Sequence, residues 1–136
     1  MTGFKALAKT VTLKTSNQTI TWGDAKNFVL FAGPDIIEDE GLVKETAQEL
    51  KRVTQKLEIP WILKCSFDKA NRQSSSSFRG PGMSTALKSL DRIKSEFDVP
   101  LLTDIHETNQ VEDTAKVADV LQIPAFLSRQ TDLMVA

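Results

Sequence analysis

The chain has 136 residues, is 40% hydrophobic and 26% charged, and carries a formal net charge of -1, a balance that suits one folded domain with a real core and argues against disorder. Basic and acidic residues are interspersed, so no global field gathers nucleic acid or an anionic membrane surface. No apolar run is long enough to span a bilayer and no basic-then-apolar leader opens the chain, so the expectation is a cytoplasmic protein, and the single cysteine, Cys65, excludes an internal disulfide and a thiolate zinc cage.

Residues Thr10 to Leu13 and Thr19 to Trp22 alternate Thr with Val, Leu or Ile around a polar turn, which predicts a β-hairpin. The hairpin is too short to stand alone and must lie on something larger. Phe28 to Ala32 is a continuous apolar run that stops at Gly33-Pro34, predicting a strand buried on both faces. Between Glu38 and Leu57 the residues Leu42, Val43, Ala47, Leu50, Val53 and Leu57 recur at three- and four-residue steps, the spacing of an amphipathic helix. Pro60 then introduces a strand over Trp61 to Ser66. A polar loop follows, and Met83, Ala86, Leu87, Leu90, Ile93 and Phe97 form a second helical face. Pro100 to Asp104 reads as a third strand, Val111, Ala115 and Ala118 as a shorter helix, Val120 to Ile123 as a fourth strand, and Thr131 to Ala136 as the opening turns of a further helix.

Four strand-helix units in succession, without hairpin turns between them, predict a parallel sheet with helices packed outside and right-handed crossovers. Such units suit a doubly wound sheet or an eight-stranded barrel of about 250 residues, of which this chain has half the units. No Gly-x-Gly-x-x-Gly follows the first strand, which counts against a dinucleotide fold. The chain reads as one partial domain, with residues 1–26 as the hairpin region and 27–136 as the first four β/α units.

In both architectures ligands bind at the carboxyl ends of the strands. Those ends carry Gly33-Pro34-Asp35, then Lys64, Ser66, Asp68 and Lys69, then Thr103, Asp104 and His106, then Gln122, Pro124 and Ala125, so polar groups collect on one rim. The loop from Lys64 to Gly82 also holds Asn71, Arg72, Arg79 and the serines Ser74 to Ser77. Lysine offers a point charge, arginine a planar fork, and serine a neutral donor, a set that suits phosphate or carboxylate; on composition alone a solvated polar loop reads equally well. With a period of two, Ile62, Lys64 and Ser66 share one strand face, while Trp61, Leu63 and Cys65 share the other. Cys65 is therefore expected to be a buried structural thiol. Asp104 reads as a base or a hydroxyl acceptor. His106, the only histidine, excludes a multi-histidine metal site within the chain and is expected to be a partly exposed residue shaping the rim.

The segments Ala32-Gly33-Pro34, Phe67-Asp68-Lys69-Ala70-Asn71-Arg72, Phe78-Arg79-Gly80-Pro81-Gly82, Thr103-Asp104-Ile105-His106-Glu107, Gln122-Ile123-Pro124-Ala125-Phe126-Leu127 and Arg129-Gln130-Thr131-Asp132-Leu133 together resemble the 3-deoxy-D-manno-octulosonate-8-phosphate synthase family. The resemblance implies the first half of a (β/α)8 barrel whose amino-terminal hairpin closes the bottom. It also implies condensation of phosphoenolpyruvate with arabinose 5-phosphate, feeding a bacterial surface polysaccharide or a plant wall polymer. Carried over by position, Lys64 and Lys69 would hold phosphoenolpyruvate, with Lys69 close to the aldehyde. Asn71 and Arg72 would hold the sugar and its phosphate. Asp104 would stand near the reacting centre, Ala125 would offer its N–H to the phosphoenolpyruvate phosphate beside Phe126, and Arg129 would reach a neighbouring subunit's sugar phosphate in a homotetramer.

Two positions depart from the family pattern. Asp35 stands where metal-dependent members carry Cys and metal-independent ones Asn; a carboxylate could ligate a divalent metal or repel the anionic substrate if unpaired. It is the one metal-ligand candidate, and otherwise no cofactor is expected. Gln73 replaces a sugar-phosphate serine, a task that Ser74 could take over. The family's later lysine, arginine and metal ligands belong to a second half that this sequence lacks, so the chain alone is expected to be inactive. Two alternatives stand beside this reading: a non-catalytic half barrel that binds a phosphorylated small molecule or a partner chain, and a related heptulosonate phosphate synthase. Asp68-Lys69-Ala70-Asn71-Arg72 speaks against the latter, which carries a Lys-Pro-Arg element instead.

Overall fold

The computed structural model describes residues 10–15, 17–23, 28–72, 74 and 76–136. The hairpin forms as the alternation predicts. Strand β1 (Val11–Lys14) pairs antiparallel with β2 (Thr19–Trp22), Val11 opposite Trp22. Residues 1–9, 16 and 24–26 of the predicted hairpin region lie outside the described residues.

The remaining strands, β3 (Leu30–Ala32), β4 (Trp61–Lys64), β5 (Leu101–Asp104) and β6 (Val120–Gln122), make one parallel sheet in the order β3-β4-β5-β6. Sequence order equals spatial order. Each strand is therefore followed by a crossover to its neighbour, as expected of successive β/α units. The sheet has half the strand count of a (β/α)8 barrel.

Helix α1 (Glu40–Leu57) starts two residues later than its apolar spacing suggests, because Asp39 is used as the cap: its Oδ1 accepts from the Leu42 N–H at 2.9 Å. It ends at Glu58 in a left-handed conformation, φ 55°. Helix α2 (Met83–Phe97) has the expected bounds and stops in the same way at Asp98, φ 48°. Helix α3 (Val111–Ala115) is shorter than predicted. A 3₁₀ turn at Thr108–Gln110 takes up the preceding residues, and Ala118 falls beyond the helix yet is still buried. Helix α4 (Thr131–Val135) ends the described chain and buries Leu133.

The two faces of the sheet have different tasks. Trp61, Leu63 and Cys65 of the β4 segment join Leu101 of β5 and Val43, Ala47, Leu90 and Ile93 of the helices in the main core. Each fully buried aliphatic side chain there contributes about 1.5–3 kcal/mol. On the opposite face Ile62 and Leu102 pack under Ile20 of the hairpin, with Leu13, Trp22, Val29 and Val120 around them. The hairpin thus covers the inner face near the amino ends of the strands, leaving Lys64 and Asp104 further along the same face.

The run Phe28 to Ala32 departs from expectation. Only Leu30–Ala32 is strand; Phe28 is 65% and Phe31 39% exposed, so this strand is not buried on both faces. Among the described residues β3 pairs with β4 alone and β6 with β5 alone. Phe31, in register with Ile62, faces the inner side at that edge and stands T-shaped to the Trp22 ring, with ring centroids 5.8 Å apart. No helix among the described residues is long and apolar enough to cross a membrane.

Candidate functional site

The alternation along β4 turns Lys64 and Ser66 to the inner face, where the segment after β3 meets them. Ile36 forms a parallel bridge with Ser66, and the Ile37 N–H donates to the Ser66 carbonyl at 3.0 Å. Gly33 makes this approach feasible: a Cβ there would stand 2.1 Å from the Lys64 carbonyl oxygen.

Two ammonium groups converge on one hydroxyl. Lys64 Nζ and Lys69 Nζ each donate to Ser66 Oγ at 2.9 Å. Each also has one carboxylate: Lys64 reaches Asp104 Oδ1 at 3.3 Å, and Lys69 reaches Asp35 Oδ1 at 2.7 Å. Asp104, at the end of β5, also meets His106 Nε2 through Oδ2 at 3.2 Å. Burial alone would raise the Asp104 carboxyl. The contacts with His106 and Ser66 and the charges of Lys64 and Lys69 outweigh burial and hold it well below the ordinary carboxylate range.

That shift has a consequence for stability. A depressed carboxyl stabilises the fold fully above its unfolded value of 3.8 and loses that contribution as pH falls below it. In urea unfolding between pH 6 and pH 3, the wild-type chain is expected to lose stability more steeply toward acid than Asp104→Asn does.

His106 differs from its expectation. Its side chain is only 6% exposed, stands edge-on to Phe67 with ring centroids 6.2 Å apart, and has its Nδ1 4.0 Å from Asp68 Oδ2. The sequence reads it as a rim residue because neither neighbour is adjacent in the chain.

The loop after β4 is tied at its base. Asp68 receives both Nε and a terminal nitrogen of Arg79, the former at 2.9 Å, and the Lys69 N–H donates to the Arg79 carbonyl at 3.0 Å. Gly80, at φ 132°, lies against the Phe67 carbonyl where a Cβ would stand at 2.2 Å. Above this base Asp35, Lys69, Asn71, Arg72 and Ser77 line an open pocket of about 380 Å³. Arg72 is steadied by donating from Nε to the Phe78 carbonyl at 3.1 Å. Ser77, which sequence reasoning did not single out, lines the pocket, whereas the hydroxyl of Ser74 lies 2.9 Å from that of Ser76. Gln73 lies outside the described residues. Beyond β6 a 3₁₀ turn carries Ala125 and Phe126, both exposed, and Arg129 follows it, also exposed.

Cys65 points into the helix layer as the period of two predicts. Burial pushes its thiol up to about 12, so it stays protonated near neutral pH and unreactive. Ellman's reagent at pH 8 is expected to modify the native chain negligibly, and to titrate one thiol after denaturation.

As a metal ligand Asp35 is poorly supplied. Its Oδ1 already holds the Lys69 ammonium, and no cluster of three or more His, Cys, Asp or Glu residues gathers among the described residues.

Parallel β/α units with cations and carboxylates gathered at the strand carboxyl ends define this chain as an α/β protein with a charged rim. It belongs to the DAHP synthetase I family, whose profile matches residues 10–136. Over 112 residues it is 55% identical to the 2-dehydro-3-deoxyphosphooctonate aldolase 2 of Arabidopsis thaliana, covering 82% of this chain and 38% of that protein. The 2-dehydro-3-deoxyphosphooctonate aldolase 2 of Pseudomonas putida is 52% identical over 120 residues, 88% of this chain and 43% of the relative. The 2-dehydro-3-deoxyphosphooctonate aldolase of Fusobacterium nucleatum is 52% identical over 117 residues, 86% and 42% respectively. The resemblance read from the motifs therefore holds across most of the chain, which spans about two fifths of the length of these relatives.

Proposed function

We propose that this chain supplies the phosphoenolpyruvate-binding wall of a synthase that condenses phosphoenolpyruvate with arabinose 5-phosphate. The products are 3-deoxy-D-manno-octulosonate 8-phosphate and inorganic phosphate. The observation that carries the reading is the convergence of Lys64 and Lys69 on Ser66, with Asp104 behind them, at the carboxyl ends of β4 and β5. The names of the relatives favour an octulosonate product over a heptulosonate one.

In the reaction the enol carbon attacks the sugar aldehyde, water adds at the carbon that bears the phosphate, and the C–O bond to phosphate breaks. Negative charge shifts at each step. Preorganised cations and donors answer that demand better than a single nucleophile. Lys64 and Lys69 hold phosphoenolpyruvate, and Lys69 stands close to the aldehyde. Asp104 directs Lys64 through their ion pair and stays an anion itself. Asn71, Arg72 and Ser77 serve the sugar phosphate, with Gln73 and Ser74 as neighbours in the same loop. Ala125, beside Phe126, offers its N–H to the phosphoenolpyruvate phosphate. Arg129 serves the site of an adjacent subunit in a homotetramer.

The cations of this chain form one wall of the site, so phosphate release is expected to need further β/α units. The test is to incubate the purified chain with phosphoenolpyruvate and arabinose 5-phosphate, measure inorganic phosphate, and determine mass by sedimentation. Saturable phosphoenolpyruvate binding without release supports the proposal. Steady release by this chain alone contradicts its inactivity, and absence of phosphoenolpyruvate binding contradicts the site.

A further inference from the structure

We propose that Asp35 is an exchangeable counter-ion for Lys69: it occupies the ammonium that an anionic ligand takes, and so sets the site's affinity for anions. The proposal rests on the anion-binding reading above and adds a residue that works against the ligand.

The two lysines meet the same hydroxyl, yet their carboxylates are unlike. Asp104 has a side chain 6% exposed and is held from the other side by His106. Asp35 has a side chain 73% exposed, while its partner Lys69 is only 14% exposed. Lys69 is anchored by Ser66 and by its own backbone bond to Arg79, so the cation stays in place when its carboxylate leaves. The backbone next to Asp35 is equally fixed, through the Ile36 bridge to Ser66 and the Ile37 N–H on the Ser66 carbonyl. Exchange thus needs only rotation of the Asp35 side chain into water.

Asp35 and Lys69 both line the open pocket with Asn71, Arg72 and Ser77. An anion arriving there meets the Lys69 ammonium already neutralised on its accessible side. An ion pair with one partner in water changes a binding constant by about two- to five-fold. A phosphate dianion, which gains charge-assisted hydrogen bonds from Lys69 and Arg72 of the same pocket, outcompetes that pair. A neutral ligand gains no such exchange. Asp35 therefore lowers affinity for every anion and keeps the cation pair from holding weakly charged ones.

Titration calorimetry of inorganic phosphate into the whole chain at low salt, for wild type, Asp35→Asn and Lys69→Ala, tests this, with melting curves taken without phosphate. Asp35→Asn is expected to bind about two- to five-fold more tightly than wild type, with a ligand-free Tm close to wild type. Lys69→Ala is expected to lose the binding. Equal or weaker binding by Asp35→Asn, with loss in Lys69→Ala, overturns the role of Asp35 and leaves the Lys69 site standing. Weaker binding by Asp35→Asn together with tightening of wild type by added Mg²⁺ overturns it in favour of a carboxylate that holds a cation. Binding unaffected by Lys69→Ala, or no saturable binding in any variant, overturns both the proposal and the reading beneath it.

Discussion

Lys69→Ala is expected to weaken phosphoenolpyruvate binding by about 10- to 100-fold, the loss that accompanies removal of one charge-assisted hydrogen bond of about 1.5–3 kcal/mol. The ammonium is mostly buried and donates to Ser66, and Lys64, the other cation on that hydroxyl, is already paired with Asp104. The substitution also frees Asp35, whose carboxylate then faces the ligand unneutralised and adds to the loss. Lys69→Arg does not restore binding, because the guanidinium is longer and planar and does not share the Ser66 hydroxyl with Lys64 in the same geometry. A titration followed by calorimetry reads both variants. Melting curves separate lost binding from lost fold, since the Lys69 side chain packs at the rim and not in the main core.

Gly33→Ala is expected to have the largest effect on stability, about 2–4 kcal/mol, measured by urea unfolding. The new methyl would stand 2.1 Å from the Lys64 carbonyl oxygen and 2.8 Å from Leu63 Cδ1, and the first of these is backbone, which has no rotamer to escape through. Relief requires β3 to part from β4, and that displaces Asp35 from Lys69. Gly80→Ala is expected to act in the same direction, for its φ of 132° adds backbone strain to a 2.2 Å approach to the Phe67 carbonyl. By contrast Gly82→Ala meets no atom within 4 Å, so its cost comes from φ 91° alone and is expected to be smaller.

Much of this fold is legible from periodicity, and β4 is the clearest case. Alternation placed Lys64 and Ser66 inside and Cys65 outside, and the core clusters agree. Helix α2 was fully bounded by its apolar spacing, since Gly82 precedes it and Asp98 ends it. Phe28 to Ala32 was misread because a continuous apolar run says how hydrophobic a strand is, not whether a neighbour covers it. Phe31 is apolar and yet open at the sheet edge. The rim was legible as a set of strand ends, but its pairings were not. That Asp35 meets Lys69, and that His106 packs beside Phe67 and Asp68, depend on the close approach of the segments after β3 and β5 to the loop after β4. The family motifs singled out Lys64, Lys69, Asn71 and Arg72 without revealing that Ser66 joins the two lysines.

Among the described residues the carboxyl rim, rather than the crevice at the opposite end of the sheet, is proposed to bind the anion. An amide chemical-shift titration with phosphoenolpyruvate tests it most directly. The account predicts saturable shifts clustered at residues 33–37, 64–72 and 103–106, with the titration moved to about 10- to 100-fold higher ligand in Lys69→Ala. A response centred instead on the opposite end of the sheet, where Thr15, Asn17, Gln18, Lys94 and Asp98 line a crevice of about 260 Å³, would contradict it.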